Sequence, residues 1–226
     1  MTTYFIDPLN GSDDHTGTDE NTPWRLPSAE QLRSLQAGDV LAFHRGRMHD
    51  GLIELHTAGI NLRSYGLSEM PAILQNTTHP DDEGRLHSVL LHGGAQDVVI
   101  EGLAFWNNAY AGVEFLQSRT AYAALVKDCT FVGNGMGVNV KGSGVTINGC
   151  TFQDGRIVRN TPHPRKDDWG ALGINLQQIM GYPLRDTHIT HSRFTGLMAD
   201  SYDYQPGDGG CIEFFPARNG EITDTT

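Results

Sequence analysis

One spacing constrains this chain more than any other feature: an aliphatic residue followed five positions later by phenylalanine. It occurs as Ile100 to Phe105, Val126 to Phe131, Ile147 to Phe152 and Ile189 to Phe194. The phenylalanines are 26, 21 and 42 residues apart, and since 42 is twice 21, the last interval reads as one period carrying inserted material. Periods of this length belong to solenoids, in which each repeat buries its apolar side only against its neighbours.

A second ladder follows each phenylalanine: Gly112-Val113-Glu114-Phe115, Gly137-Val138-Asn139-Val140, Gly173-Ile174-Asn175-Leu176 and Cys211-Ile212-Glu213-Phe214. Alternation with period two turns the apolar pair inward and Glu114, Asn139, Asn175 and Glu213 outward. Cys129 and Cys150 stand two residues before their phenylalanines, where Leu103 and Ser192 stand in other repeats, so they belong to an inward column as buried free thiols. A repeat this short leaves no room for a βαβ crossover. Each strand must therefore pair with its counterpart one coil away. Val40 to Phe43, Leu52 to Leu55, Ile60 to Leu62, Ala72 to Leu74 and Val89 to Leu91 read as the strands of earlier, less regular coils.

The phrases Lys127-Asp128-Cys129-Thr130-Phe131 and Asn148-Gly149-Cys150-Thr151-Phe152 resemble those of right-handed parallel β-helix proteins of the pectate-lyase-like superfamily. The start of the chain, Tyr4-Phe5-Ile6-Asp7-Pro8 with Asn10-Gly11-Ser12-Asp13 and Gly38-Asp39-Val40, is similar to the entry segment of many secreted members. The resemblance implies an all-β, right-handed parallel β-helix and a place outside the cell, extracellular, periplasmic or on the cell surface. It does not single out a reaction, because the superfamily holds lyases, hydrolases, epimerases and non-catalytic surface proteins.

One domain over residues 1–226 is expected, with 1–39 as entry segment and cap and 40–226 as coils. Ser28 to Leu35 offers a short amphipathic capping helix in which Ser28 and Gln31 form a capping box. Ile222 opens a further phrase whose phenylalanine would be residue 227, so the chain reads as ending in mid-coil. The formal charge of -11 argues against a nucleic-acid partner, which needs a basic surface. No apolar run approaches the roughly 20 residues of a membrane-crossing helix.

The functional expectation comes from loop lengths. Phe105 to Val113 and Phe131 to Val138 are short, but Phe152 to Ile174 and Phe194 to Ile212 carry long insertions at one corner of consecutive coils, able to wall a cleft. The first crowds Arg156, Arg159, His163, Arg165 and Lys166, followed by Asp167, Asp168 and Trp169. The second holds Asp200, Tyr202, Asp203, Tyr204 and Asp208 and runs into Glu213. A basic arm beside an acidic one, with rings to stack on sugars, suits an acidic polysaccharide.

Abstracting the proton beside a uronate carboxylate needs that charge neutralised while a base takes the proton. Arg165 is the expected clamp, Lys166 or His163 the base, and Asp200, Asp203 and Asp208 the ligands of a Ca²⁺ ion. Trp169, Tyr202, Tyr204 and Arg159 are the expected sugar contacts. Superfamily lyases commonly combine calcium with a basic residue, so the resemblance implies the same chemistry. Two alternatives stand beside this lyase or epimerase: a hydrolase pairing Glu213 with Asp208 or Asp168, and a non-catalytic phage or cell-surface module. Glu114 and Glu213, three coils apart at about 4.8 Å per coil, are too distant to act as such a pair.

Overall fold

In a computed structural model, which describes residues 1–182, 184–215 and 220–223, the chain winds into a parallel β-helix with three faces. The first face stacks Thr3–Ile6, Val40–His44, Asn61–Tyr65, Val99–Glu101, Ala124–Lys127, Val145–Asn148, Thr187–Thr190 and Gly220–Thr223. The second, the phenylalanine face, runs through Met48–Asp50, Ala72–Gln75, Leu103–Trp106, Thr130–Val132, Thr151–Gln153 and Arg193–Thr195. The third runs through Ile53–Leu55, His87–Leu91, Ala111–Phe115, Met136–Val140, Leu172–Gln177 and Gly210–Phe215.

The register follows the repeat. Phe131 pairs with Phe105 on one side and Phe152 on the other, and Phe152 pairs with Phe194, so the 42-residue interval is one coil with insertions. The four rings stack in parallel at 4.8, 4.8 and 4.9 Å, about the strand separation itself. Two columns of left-handed backbone turn the chain at either end of this face. Gly102, Asp128, Gly149 and His191 form one, with φ of 62°, 51°, 65° and 52°. Asn107, Gly133, Asp154 and Gly196 form the other, with φ of 55°, 65°, 53° and 63°. Glycine, Asn and Asp recur there because they tolerate positive φ best.

Inside the second turn an amide ladder satisfies the bent backbone. Asn108 Oδ1 accepts from Asn76 N at 2.9 Å, and Asn134 Oδ1 accepts from Asn108 N at 3.0 Å. Cys129, Cys150, Leu103 and Ser192 are buried in the expected inward column, and both cysteines are free thiols.

The helix Ala29–Ser34 has Ser28 as N-cap and the reciprocal capping box with Gln31. Its Leu32, with Leu35 just beyond, seals the end of the core. Coiling starts earlier than expected, however. Thr3–Ile6 is itself a rung, with Tyr4 opposite Leu41, because Ile6 enters the core while Tyr4 stacks on Trp24 at 4.5 Å. At the other end Gly220–Thr223 pairs with Thr187–Thr190, Ile222 opposite Ile189, as the repeat requires; residues 224–226 lie outside the described part.

The outward column of the third face needs one correction. Glu114, Asn139 and Asn175 do point away from the core, yet they are buried beneath further chain. Lys141 Nζ lies 2.6 Å from Glu114 Oε1, and His87 Nδ1 approaches Glu114 Oε2 to 3.0 Å. His87 Nε2 reaches Asp81 Oδ2 at 3.0 Å, and Arg85 joins Asp81 at 3.0 Å. His87 is thus structural.

Burial alone would raise the Asp81 pKa. Hydrogen bonds from the Arg85 backbone, His87 and the Arg85 guanidinium outweigh it and bring the pKa down to about 2. Hydrogen bonding and the charges of His87 and Lys141 likewise overcome burial at Glu114. A depressed carboxylate stabilises the fold above its unfolded pKa, 3.8 for Asp81, and that contribution is lost as pH falls toward 2. Melting curves between pH 5 and 2 are expected to fall steeply in the native chain and less steeply in Asp81→Asn. Parallel curves for the two would remove Asp81 from the acid response.

Candidate functional site

Both insertions leave the corner between the phenylalanine face and the third face on consecutive coils, so their bases lie one strand spacing apart. The first folds back on itself, Ile157–Arg159 pairing antiparallel with Trp169–Gly170. The second is closed by an antiparallel bridge between Ala199 and Asp208. Asp168 fastens them together. Its Oδ1 accepts from Thr161 N at 2.7 Å, and its Oδ2 accepts from Ser201 Oγ at 2.8 Å, Tyr202 N at 2.8 Å and Asp203 N at 3.1 Å. Asp203 returns the bond by accepting from Asp168 N at 3.1 Å. Burial works to raise the Asp168 pKa, and these donors turn the balance so that it is lowered.

Removing the Asp168 carboxylate leaves those donors facing one another across the two arms. In Asp168→Ala, limited proteolysis is expected to cut within 157–170 and 197–209 while the coils stay intact. Unchanged resistance of both arms would mean that other contacts hold them.

Beneath the arms, on the outer surface of the third face, lies a cavity of about 270 Å³ lined by Tyr110, Trp169, Asn175, Gln177, Glu213 and Phe215. A second hollow of about 160 Å³ shares Trp169 and Glu213 and adds Leu172, Asp208 and Gly209. Together they form one cleft. Ala111, Met136 and Leu172 make a small apolar floor on which Tyr110 and Trp169 pack, their rings edge to face at 5.6 Å. Tyr110 is held from behind by Arg85, 5.2 Å over its ring, and by the edge of His87 at 5.0 Å. The buried charge network therefore positions one wall of the cleft.

The only charged side chains lining the cleft among the described residues are Glu213 and Asp208. Burial, and then the charge of Asp208, raises the Glu213 pKa. Burial, and then the charge of Asp168, raises that of Asp208 against one opposing bond from Gly209 N. Two neighbouring carboxyls pushed toward their protonated forms are suited to holding and moving a proton. Asn175 stands beside Glu213 on the adjacent strand; its Nδ2 donates to Asn139 Oδ1 at 3.1 Å, while its own Oδ1 is buried without a partner.

Of the residues expected from the sequence, Glu213, Asp208 and Trp169 meet at this cleft. The basic group does not line it. His163, Arg165 and Lys166 are exposed on the first arm, with His163 Nδ1 4.0 Å from Asp203 Oδ1, and Arg159 is spent on Asp167 at 3.3 Å. Tyr202 and Tyr204 are half exposed on the second arm, off the cleft wall.

Asp200, Asp203 and Asp208 do not converge as a calcium set. Asp200 uses its backbone oxygen to accept from Asn160, Asp208 faces the cleft, and Asp203 instead gathers with Asp167 and Asp168. In that gathering the oxygens of Asp168 are taken by four donors and Asp167 by Arg159 and the Thr161 hydroxyl. An ion in this group would compete with those hydrogen bonds, and only Asp203 Oδ1 is buried there without a partner.

The sequence reading missed Tyr110, Gln177 and Phe215. Extending the period-two ladder by one more outward position, from Asn175 to Gln177 and from Glu213 to Phe215, would have found the last two. No pattern marks Tyr110.

Three stacked parallel faces with a cleft built on inserted arms define a solenoid of coils. The profile of the family described as "Right handed beta helix region" matches residues 88–224, more than half of the chain, and the chain belongs to that family. A search of curated proteins finds no match by sequence.

Among solved structures the chain is similar to the GH136 lacto-N-biosidase from Eubacterium ramulus, with TM-score 0.60 and 15% identity over 85% of this chain. It spans 41% of that protein's length. It is also similar to an alginate lyase from Paenibacillus sp. str. FPU-7, with TM-score 0.57, 16% identity, and 87% and 71% of the two chains covered. A third likeness is to a rhamnogalacturonan lyase, with TM-score 0.52 and 11% identity over 98% of this chain and 62% of the other. At these identities the likenesses bear on the fold.

Proposed function

We propose that the cleft binds a polysaccharide or oligosaccharide outside the cell and cleaves a glycosidic bond by hydrolysis, with Glu213 as proton donor and Asp208 as the second carboxyl group. The observation that carries this reading is the pairing of two carboxyls with raised pKa on a wall otherwise made of Trp169, Tyr110, Phe215 and amides. Aromatic rings stack on the apolar faces of sugars, and amides such as Gln177 and Asn175 suit hydroxyl groups. Glu213 delivers its proton to the glycosidic oxygen as the bond to the anomeric carbon breaks. Asp208, ionised, either attacks that carbon or takes a proton from the water that does. A wall whose charged side chains among the described residues are both acidic, in a chain of net charge -11, favours a neutral glycan over a uronate.

A second reading keeps the uronate chemistry expected from the sequence, as a lyase or epimerase. It is supported by the exposed Arg165 and Lys166, a few residues from Trp169 on the arm beside the cleft. It requires that arm to bend over the substrate, Arg165 then neutralising the carboxylate and Lys166 or His163 removing the neighbouring proton. The likenesses to an alginate lyase and a rhamnogalacturonan lyase lean this way, and the lacto-N-biosidase leans toward hydrolysis.

Incubation with neutral and uronate-containing glycans, with and without chelator, separates the two. Hydrolysis of a neutral glycan yields new reducing ends, no unsaturated product and no response to chelator. Unsaturated uronate products, lost in Lys166→Ala, would transfer the assignment to the lyase. No turnover of any glycan, with binding retained, would leave a carbohydrate-binding module.

A further inference from the structure

Far from the cleft, at the opposite end of the third face, two histidines and a glutamate meet on the outer surface. Ile53–Leu55 and His87–Leu91 are neighbouring strands with Leu55 opposite Leu91, so His56 and His92, one residue further on, stand one above the other. Their rings stack at 3.9 Å with an interplanar angle of 22°. Glu54, two residues before His56, projects on the same side by the period of the strand. Its Oε1 lies 2.7 Å from His92 Nε2 and 3.6 Å from His56 Nε2.

Two imidazole nitrogens thus face one carboxylate oxygen, and a ligand atom from each residue lies within 4.8 Å of the other two. Both rings have turned the same nitrogen toward the carboxylate. Stacking of adjacent rungs alone would not require that, since an imidazole stacks equally well with Nε2 facing solvent. All three side chains are partly exposed, leaving a side open to solvent.

Two imidazoles and one carboxylate make the ligand set of borderline divalent ions such as zinc, with a fourth position open to water; Ca²⁺ and Mg²⁺ prefer oxygen alone. We propose that Glu54, His56 and His92 form a site for a divalent transition metal of the zinc type, which ties two consecutive coils together on the outer surface of the early part of the helix. The site shares no residue with the cleft, and the rung of His92 lies four strand spacings from that of Glu213, roughly 19 Å at 4.8 Å per strand. Its ligands come from two different coils, so occupancy braces the stack across a rung. The Glu54 to His92 hydrogen bond is what the ion replaces, with release of the proton that bond holds.

The test is calorimetric titration of the full chain, stripped with chelator, with ZnCl₂, alongside His56→Ala, His92→Ala and Asp203→Asn. One ion per chain is expected for the native protein and for Asp203→Asn, whose carboxylate belongs to the other cluster of acids. Affinity should fall at least tenfold in each histidine variant. The exposed thiol of Cys211 is a competing zinc ligand, so the Co²⁺ adduct is read by absorption: bands of a nitrogen and oxygen site without thiolate charge transfer are expected. Native-like affinity in both histidine variants, thiolate charge transfer, or no binding by the native chain would each overturn the proposal. Circular dichroism and melting of each variant without metal establish that a loss of affinity is not a loss of fold.

Discussion

Glu213→Gln is expected to lower the turnover of an accepted glycan by about 10²–10⁴-fold, the usual contribution of a positioned acid. It should at the same time leave the protein as stable at neutral pH, or more so. The sign follows from the raised pKa. The folded state holds the Glu213 proton more tightly than the unfolded chain does, so its contribution is fully present below the unfolded pKa and is lost as pH rises through the folded one. Glutamine keeps the shape and removes the partly buried charge, so melting should not fall at pH 7.

Asp208→Asn should be comparably inactive, and the double variant little worse than either alone, because the two groups act on one step. The native pH–rate profile should be a bell, its acidic limb set by ionisation of Asp208 and its basic limb by loss of the Glu213 proton. Turnover that survives Glu213→Gln with the basic limb in place would remove Glu213 from the acid's role.

The second large effect is on stability. Phe131 is 1% exposed, with Phe105 and Phe152 stacked on its two faces at 4.8 Å. Truncation to alanine opens a cavity between two rings that the strand ladder prevents from closing. Phe131→Ala should therefore cost about 3–5 kcal/mol. For a chain of this size that is a fall of roughly 6–20 °C in melting temperature.

On alternation alone, Asn139→Ala should cost much less. Burial of Asn139, and the amide it accepts from Asn175, raise that expectation to about 1–3 kcal/mol. The order of the two variants should still hold, and equal losses would contradict the inward placement of the phenylalanine column.

The coils were legible because a solenoid repeats its constraint. Phe105, Phe131, Phe152 and Phe194 each report the same inward position, so any one of them corrects errors in reading the others. The location of the cleft was legible too, because two loops far longer than their equivalents had to leave adjacent rungs. The lining was legible only in part. Glu213, Asp208 and Trp169 stand close to a strand whose register was known, whereas Arg165, Lys166, Tyr202 and Tyr204 sit on arms whose course depends on contacts between them. Asp168 illustrates the difficulty: nothing in its sequence surroundings separates a catalytic aspartate from one that accepts four hydrogen bonds to pin a loop. The buried carboxylate at Glu114 was likewise beyond alternation, which tells inside from outside of the coil but not whether a later segment covers the outside.

The ladder of Phe105, Phe131, Phe152 and Phe194 also governs how the molecule answers a pull. Every rung is hydrogen-bonded only to the rungs above and below it. Tension applied along the stack therefore loads one seam at a time instead of shearing many strands together. Each seam that parts frees the 21 to 26 residues of an ordinary coil, roughly 70–90 Å of extended chain, and about twice as much for the coil that carries the first arm. Under force the stack parts rung by rung from a loaded end, and the walls of the cleft separate in the longest single step.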